Sequence, residues 1–276
     1  MRRQPVHNRH VPCVSESPFF RGTGLCAASF LAASLVLGLM SRQAGAVDKP
    51  KMETHTQTFS VRLSATRVIY DPSSMGATLT VTNPQDYPIL VQSHVLAEDM
   101  KGKAPFVVTP PLFRLDGQQQ SRLRIVRTGG DFAKDRESIQ WLCVKGIPPK
   151  ADDEWAKDKD GKSAADNKTI SLNVQMSINS CIKLFVRPYS VKGHPDDVAA
   201  SLVWYRQGNQ LKATNDSPFY MNLSSLTVGG RVVRGLHYVP PFSSYNFTLP
   251  EGASGKIAWR IINDYGGESS YQADMK

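Results

Sequence analysis

Residues 170–188, ISLNVQMSINSCIKLFVRP, constrain the fold of this chain more than any other stretch. Ile170, Leu172, Val174, Met176 and Ile178 alternate strictly with Ser171, Asn173, Gln175, Ser177 and Asn179. Alternate side chains of an extended strand point to opposite faces, so the five apolar groups form one row of roughly 27 Å at ~3.3 Å per residue. Such a row either faces the core of its own sheet or is offered to another protein. The run continues through Cys181 and Lys183, the latter a charge set inside the apolar segment IKLFV.

The rest of the chain predicts strands of the same kind. Short β-branched and aromatic runs at 59–70, 77–82, 88–97, 106–113, 121–127 and 138–147 are broken by turn residues, and 170–186 makes a seventh. No amphipathic helical stretch of convincing length interrupts them, so the pattern reads as an antiparallel β-sandwich. After 188–195, a linker bearing proline and glycine, a second set begins: 202–206 and 210–214 flank a Gly-Asn hairpin turn, followed by 219–228, 231–239, 245–249 and 256–262. The expected division is 47–187 for a first sandwich with the alternating strand and 188–276 for a second, smaller one.

Residues 1–46 read as a secretory leader. Arg2, Arg3, Arg9 and Arg21 precede an uncharged apolar run at 24–40, and Ala44-Gly45-Ala46 supplies a small-x-small cleavage site. Seventeen apolar residues lie at the lower limit for a membrane anchor, and the cleavage signature favours removal. Removal takes away five Lys/Arg and one Glu, so the net charge falls from +9 by four, to +5. That excess, without a Lys/Arg-rich block, argues against nucleic acid, and with no other long apolar run no stable membrane insertion is expected. The mature chain keeps Cys143 and Cys181 on the two strands beside the long connection, which in an exported protein points to one disulfide.

That connection, 148–168, holds six acids, five lysines and one aromatic residue, Trp155. Its length and composition mark a solvated, functional or mobile loop. Asp158 and Asp160-Gly161 fail as a calcium loop because Ala156 and Asn167 stand where ligands are needed, and Gly161-Lys162-Ser163 lacks the earlier glycine of a phosphate loop. His55, His94, His194 and His237 are scattered, with no metal-ligand spacing and no nucleophile motif beside them. No catalytic, metal or cofactor site is expected.

Five stretches, in order, carry a family resemblance: SATRVIY at 64–70, TPP at 109–111, FAKDRESIQWLCVKGIP at 132–148, IKLFVRP at 182–188 and INDYGG at 262–267. Together they resemble the PapD-like periplasmic chaperones of chaperone–usher fibre assembly. The long loop, the cysteine pair and the arm at 47–60 resemble its long-loop (FGL) branch, which serves capsule-like or thin atypical surface fibres. The resemblance implies two immunoglobulin-like sandwiches in an L-shaped, all-β arrangement, working in the periplasm with pilin-like fibre subunits and an outer-membrane usher. It implies that the row Ile170, Leu172, Val174, Met176 and Ile178 is a donor strand completing a subunit that lacks its final strand, the mode of strand addition by which chaperones complement pilins. It also implies that Arg67 and Lys183 hold the subunit's C-terminal carboxylate, and that Glu137, Arg187 and Asp264 form a buried charge network setting the angle between the sandwiches. The empty donor strand is expected to invite self-association.

Two other classes fit a chain of strands. A secreted adhesin or carbohydrate-binding module would present aromatics such as Trp155, Phe242 and Tyr245 and would have no use for Arg67 or Lys183. A sandwich hydrolase with a dispersed triad would reveal itself only by activity.

Overall fold

A computed structural model of the chain describes residues 54–150, 153–156 and 172–276. The leader at 1–46, the middle of the long loop and Ile170 of the alternating row lie outside the described residues.

The fold is all-β, and its first half runs through eleven strands: β1 (Thr54–Phe59), β2 (Arg62–Leu63), β3 (Arg67–Tyr70), β4 (Ala77–Thr82), β5 (Ile89–Leu96), β6 (Phe106–Thr109), β7 (Leu112–Leu115), β8 (Gln120–Arg127), β9 (Ser138–Ile147), β10 (Leu172–Ser177) and β11 (Asn179–Val186). One sheet has the order β3-β11-β9-β5-β7 and the facing sheet β2-β4-β8-β6. Their inward residues alternate as period 2 requires: Leu79 and Val81 of β4 and Leu123 and Ile125 of β8 meet Ile89, Val91 and Val95 of β5, Leu142 and Val144 of β9, and Leu184 and Val186 of β11.

The second half holds β12 (Val203–Gln207), β13 (Gln210–Asn215), β14 (Met221–Val228), β15 (Arg231–Val232), β16 (Tyr238–Val239), β17 (Ser243–Thr248), β18 (Ile257–Ile262) and β19 (Glu268–Ala273), with one short helix, α1 (Pro195–Val198), at its entrance. A sheet of β12-β13-β17 packs on one of β15-β14-β18-β19, with β16 also on β14. Trp204 and Trp259 lie at the centre, ring centroids 5.2 Å apart. The β12–β13 hairpin turns through Gly208-Asn209, and Gly208 takes the positive φ of 62° that this tight connection demands.

Each sandwich ends a strand with the same device. Asn83, just past β4, donates from Nδ2 to the carbonyls of Tyr87, Leu115 and Asp116 and accepts from the Gln85 N–H. Asn215, closing β13, donates to the carbonyls of Phe219, Val239 and Pro240 and accepts from the Ser217 N–H. Both are buried, so each amide satisfies main-chain groups that a corner would otherwise orphan.

Three expected strands are broken because the chain changes partner. The run 59–70 divides among a separate ribbon (β1), one sheet (β2) and the other (β3). The run 106–113 breaks at Pro110 and Pro111, which lack an N–H for the ladder; β6 pairs with β8 in one sheet and β7 with β5 in the other. The run 170–186 breaks at Ile178: β10 pairs with β1, and β11 with β9 and β3.

Candidate functional site

The first component is a two-stranded ribbon outside both sandwiches. β1 and β10 run parallel, with Thr56 opposite Val174 and Thr58 opposite Met176. Phe59 at the end of β1 is buried in the first core, and its carbonyl accepts the Ile178 N–H at 2.9 Å. The Ser177 hydroxyl donates to the Gly146 carbonyl, fixing the root of the ribbon to β9. Beyond that root, Val174, Met176 and Ile178 are 38, 48 and 41% exposed. Among the described residues neither β1 nor β10 has a second strand neighbour, so an apolar row and unpaired main-chain edges coincide.

The second component lies where the same chain enters the first sandwich. β11 pairs in parallel with β3 in a register that sets Lys183 beside Arg67. The parity of β11 sends Leu184 and Val186 into the core and leaves Lys183, Phe185 and Arg187 on the side facing the second sandwich. Arg67 is buried; its Nη1 donates to the Ile262 carbonyl at 2.8 Å, while Nε has no partner among the described residues. Lys183 Nζ donates to Asn222 Oδ1 at 2.6 Å and lies over the rings of Tyr238 and Trp141. Burial, with the Arg67 charge beside it, lowers the Lys183 pKa to about 8. Burial likewise lowers that of Arg67, against the opposing pull of Asp264 and Glu137. Two cations with spare donor capacity therefore share one half-buried cleft, an arrangement suited to one carboxylate.

Behind the cleft stands the charge network. Arg187 donates from Nε to Glu137 Oε1 and from Nη1 and Nη2 to the two oxygens of Asp264, each at 2.7 Å. Glu137 Oε2 accepts the Tyr220 N–H at 2.8 Å, and the Glu137 N–H donates to the Pro218 carbonyl. Burial raises the Glu137 pKa despite Arg187, whereas Arg187 and His194 overcome the burial of Asp264 and hold its carboxyl below its ordinary value. His194 Nδ1 lies 2.8 Å from Asp264.

Cys143 and Cys181 face each other across β9 and β11, and their sulfurs are bonded, with Cα atoms 4.0 Å apart. The closed segment spans a separation of 38 residues, for which the chain-entropy relation gives about 4 kcal/mol. The bond holds β9 and β11 together at the mouth of the long loop, just below the ribbon.

The cleft contains residues that pattern reasoning missed. Asn222 sits in an ordinary apolar-alternating strand, and Tyr220 and Tyr238 read as core residues. Glu98 reads as a loop acid, yet its Oε1 accepts the Tyr238 hydroxyl at 3.1 Å and its carbonyl accepts Trp141 Nε1 at 3.1 Å. Of the aromatics weighed for carbohydrate binding, Tyr245 is stacked on His237 with centroids 4.7 Å apart, Phe242 lies under Arg136, and Trp155 is half-buried. Among the described residues no cluster of His, Cys, Asp and Glu offers a metal site, and no helix is long and apolar enough to cross a membrane.

Comparison with known proteins agrees with this construction. Residues 60–192 match the pili and flagellar-assembly chaperone PapD N-terminal domain, and residues 197–273 the pili assembly chaperone PapD C-terminal domain. The chaperone protein AfaB of Escherichia coli is 61% identical over 231 residues, 82% of this chain and 93% of that protein. The chaperone protein caf1M of Yersinia pestis is 44% identical over 238 residues, 84% of this chain and 92% of that protein. The crystal structure of the E. coli chaperone DraB aligns with a TM-score of 0.70 at 58% identity, covering 81% of this chain and all (100%) of that one. The Salmonella enterica SafB chaperone, solved in complex with the SafA pilin, aligns with a TM-score of 0.71 at 51% identity and the same coverage. The family is one of assembly chaperones and not of enzymes. A strand ribbon, a cationic cleft and a disulfide-pinned strand pair at the ribbon's root thus stand on a chain that belongs to the PapD-like pilus-assembly chaperones.

Proposed function

We propose that this protein is a periplasmic chaperone that captures fibre subunits by lending them its β10 strand and delivers them to an outer-membrane usher. In this reading 1–46 is a secretory leader, removed on export, and 47–187 and 188–276 are the two working sandwiches. The observation that carries the reading is the exposed row on a ribbon with unpaired edges, continuous in the chain with β11, whose one charged residue, Lys183, lies beside Arg67. The pairing of a relative, SafB, with the SafA pilin supports it.

Ile170, Leu172, Val174, Met176 and Ile178 fill the groove of a subunit that lacks its last strand, while the ribbon's main chain extends the subunit's sheet. Burying five such side chains is worth roughly 8–15 kcal/mol gross, an upper bound from which ordering costs are subtracted. Arg67 and Lys183 bind the subunit's terminal carboxylate by charge-assisted hydrogen bonds of roughly 1.5–3 kcal/mol each, fixing how far the subunit slides along β10. Glu137, Arg187 and Asp264 set the angle of the cleft. No cofactor takes part.

Native mass spectrometry of the protein from periplasm of cells co-expressing its neighbouring exported small proteins tests this. The expected result is a one-to-one complex with a β-rich polypeptide, lost in Lys183→Ala and Arg67→Ala although both variants stay folded. A protein recovered alone in every sample, or a complex undiminished in both variants, counts against it.

A further inference from the structure

The Lys183 ammonium is enclosed from both sandwiches. The rings of Trp141 and Tyr238 lie 5.9 and 5.3 Å from Nζ, and both rings are tied to Glu98, one through its carbonyl and the other through its carboxylate. The remaining contact is Asn222 Oδ1 at 2.6 Å. Asn222 is only 4% exposed, and its orientation is fixed: Nδ2 donates to the Tyr220 carbonyl at 3.1 Å, which turns Oδ1 toward the lysine. The charged and titratable groups around the ammonium are Arg67 on the adjacent strand, Tyr238, and Tyr220 and Glu98 behind it.

An amide at this point has a specific consequence. It gives a half-buried ammonium one good acceptor, so the side chain is held in one place while the cleft is empty. It carries no net charge, so a carboxylate competes with it successfully where the dielectric is low. An acid in its place would neutralise the lysine permanently, and an apolar residue would leave the ammonium without an acceptor.

We propose that Asn222 is a positioning residue for Lys183, holding the ammonium in the empty cleft and yielding that bond to the incoming C-terminal carboxylate of a subunit. The proposal rests on the reading of Arg67 and Lys183 as a carboxylate anchor. It assigns the second sandwich a direct part in capture, through a neutral residue on β14.

The test uses the whole protein and two synthetic peptides of alternating valine and serine, one ending in a free carboxylate and one in an amide. Binding is read by fluorescence anisotropy, and Lys183 is titrated by NMR after 13C-methylation of the lysines. The wild type should prefer the carboxylate peptide by about tenfold or more. Asn222→Asp should abolish that preference and raise the Lys183 midpoint by about one unit or more, and Asn222→Leu should lower the midpoint. A purely structural asparagine would move neither the preference nor the midpoint, and that result overturns the proposal. A wild type indifferent to the carboxylate overturns the anchor reading itself, which separates the two failures. The Asn222→Leu titration decides the matter alone if the aspartate variant does not fold.

Discussion

Lys183 is costly to the empty protein. Its pKa falls from 10.5 to about 8 on folding, chiefly because burial penalises the charge. Below pH 8 both folded and unfolded chains carry the proton and the penalty is constant. Between pH 8 and 10.5 the unfolded chain binds more protons than the folded one, so stability rises with pH through that window and levels off above it. The full shift corresponds to about 3 kcal/mol, an upper bound for a side chain that keeps some solvent contact. Urea unfolding of the wild type against Lys183→Met should show the wild type gaining roughly 1–3 kcal/mol relative to the variant across the window. A constant difference would mean that the lysine is not desolvated. The same residues show what a sequence reveals at this scale. Arg67, Lys183, Glu137, Arg187 and Asp264 could be singled out from sequence because each stands in a motif shared with a family, and the fold brings them to one cleft. Asn222 and Glu98 could not, because their roles come from which strand and loop the fold brings against Lys183, and no local pattern records that.

At the scale of elements, alternation along β10 was legible because a period of two depends on the strand alone. Where a strand changes partner, the pattern carries no mark. The row 170–178 passes into β11 without a break in the sequence, yet Ile178 ends the pairing with β1 and Asn179 begins that with β9. β19 was missed for the opposite reason: its residues are exposed or half-buried, so ESSYQA lacks the apolar alternation by which strands are recognised. The exposure of β10 separates its role from stability. Met176 is 48% exposed and packs in neither core, so Met176→Asp should change unfolding free energy by no more than about 0.5 kcal/mol. The same substitution places a charge where a subunit's core would close, and recovery of the subunit complex should fall by about tenfold or more. A variant as competent in capture as the wild type would remove β10 from the binding surface.

At the scale of the whole molecule, the two sandwiches are held by an apolar contact and a polar one. Ile139 and Phe185 meet Tyr220, with Ile69, Trp141 and Tyr238 around them. Beside that patch Arg187 reaches Glu137 of its own sandwich and Asp264 of the other. The pKa directions within the network are mixed: burial leaves Glu137 with a raised pKa, so its charge opposes folding, while the lowered pKa of Asp264 and the raised pKa of Arg187 favour it. Glu137 also grips the segment Pro218 to Tyr220 at both its amide and its carboxylate, tying the start of β9 to the segment that leads into β14, as a hinge pin would. Glu137→Gln keeps an acceptor for the Tyr220 N–H and should cost about 1–2 kcal/mol, whereas Glu137→Ala leaves that N–H unmet and Arg187 half-paired, at about 3–5 kcal/mol. Residual dipolar couplings distinguish a hinge pin from a mere contributor to stability. In Glu137→Ala the relative orientation of the sandwiches should change while couplings within each remain self-consistent, and capture of subunits should weaken even at temperatures where the variant is fully folded. An orientation unchanged in the alanine variant would show that the Phe185–Tyr220 contact alone sets the cleft, and the charge network would lose its part in the geometry that brings Arg67, Lys183 and Asn222 together.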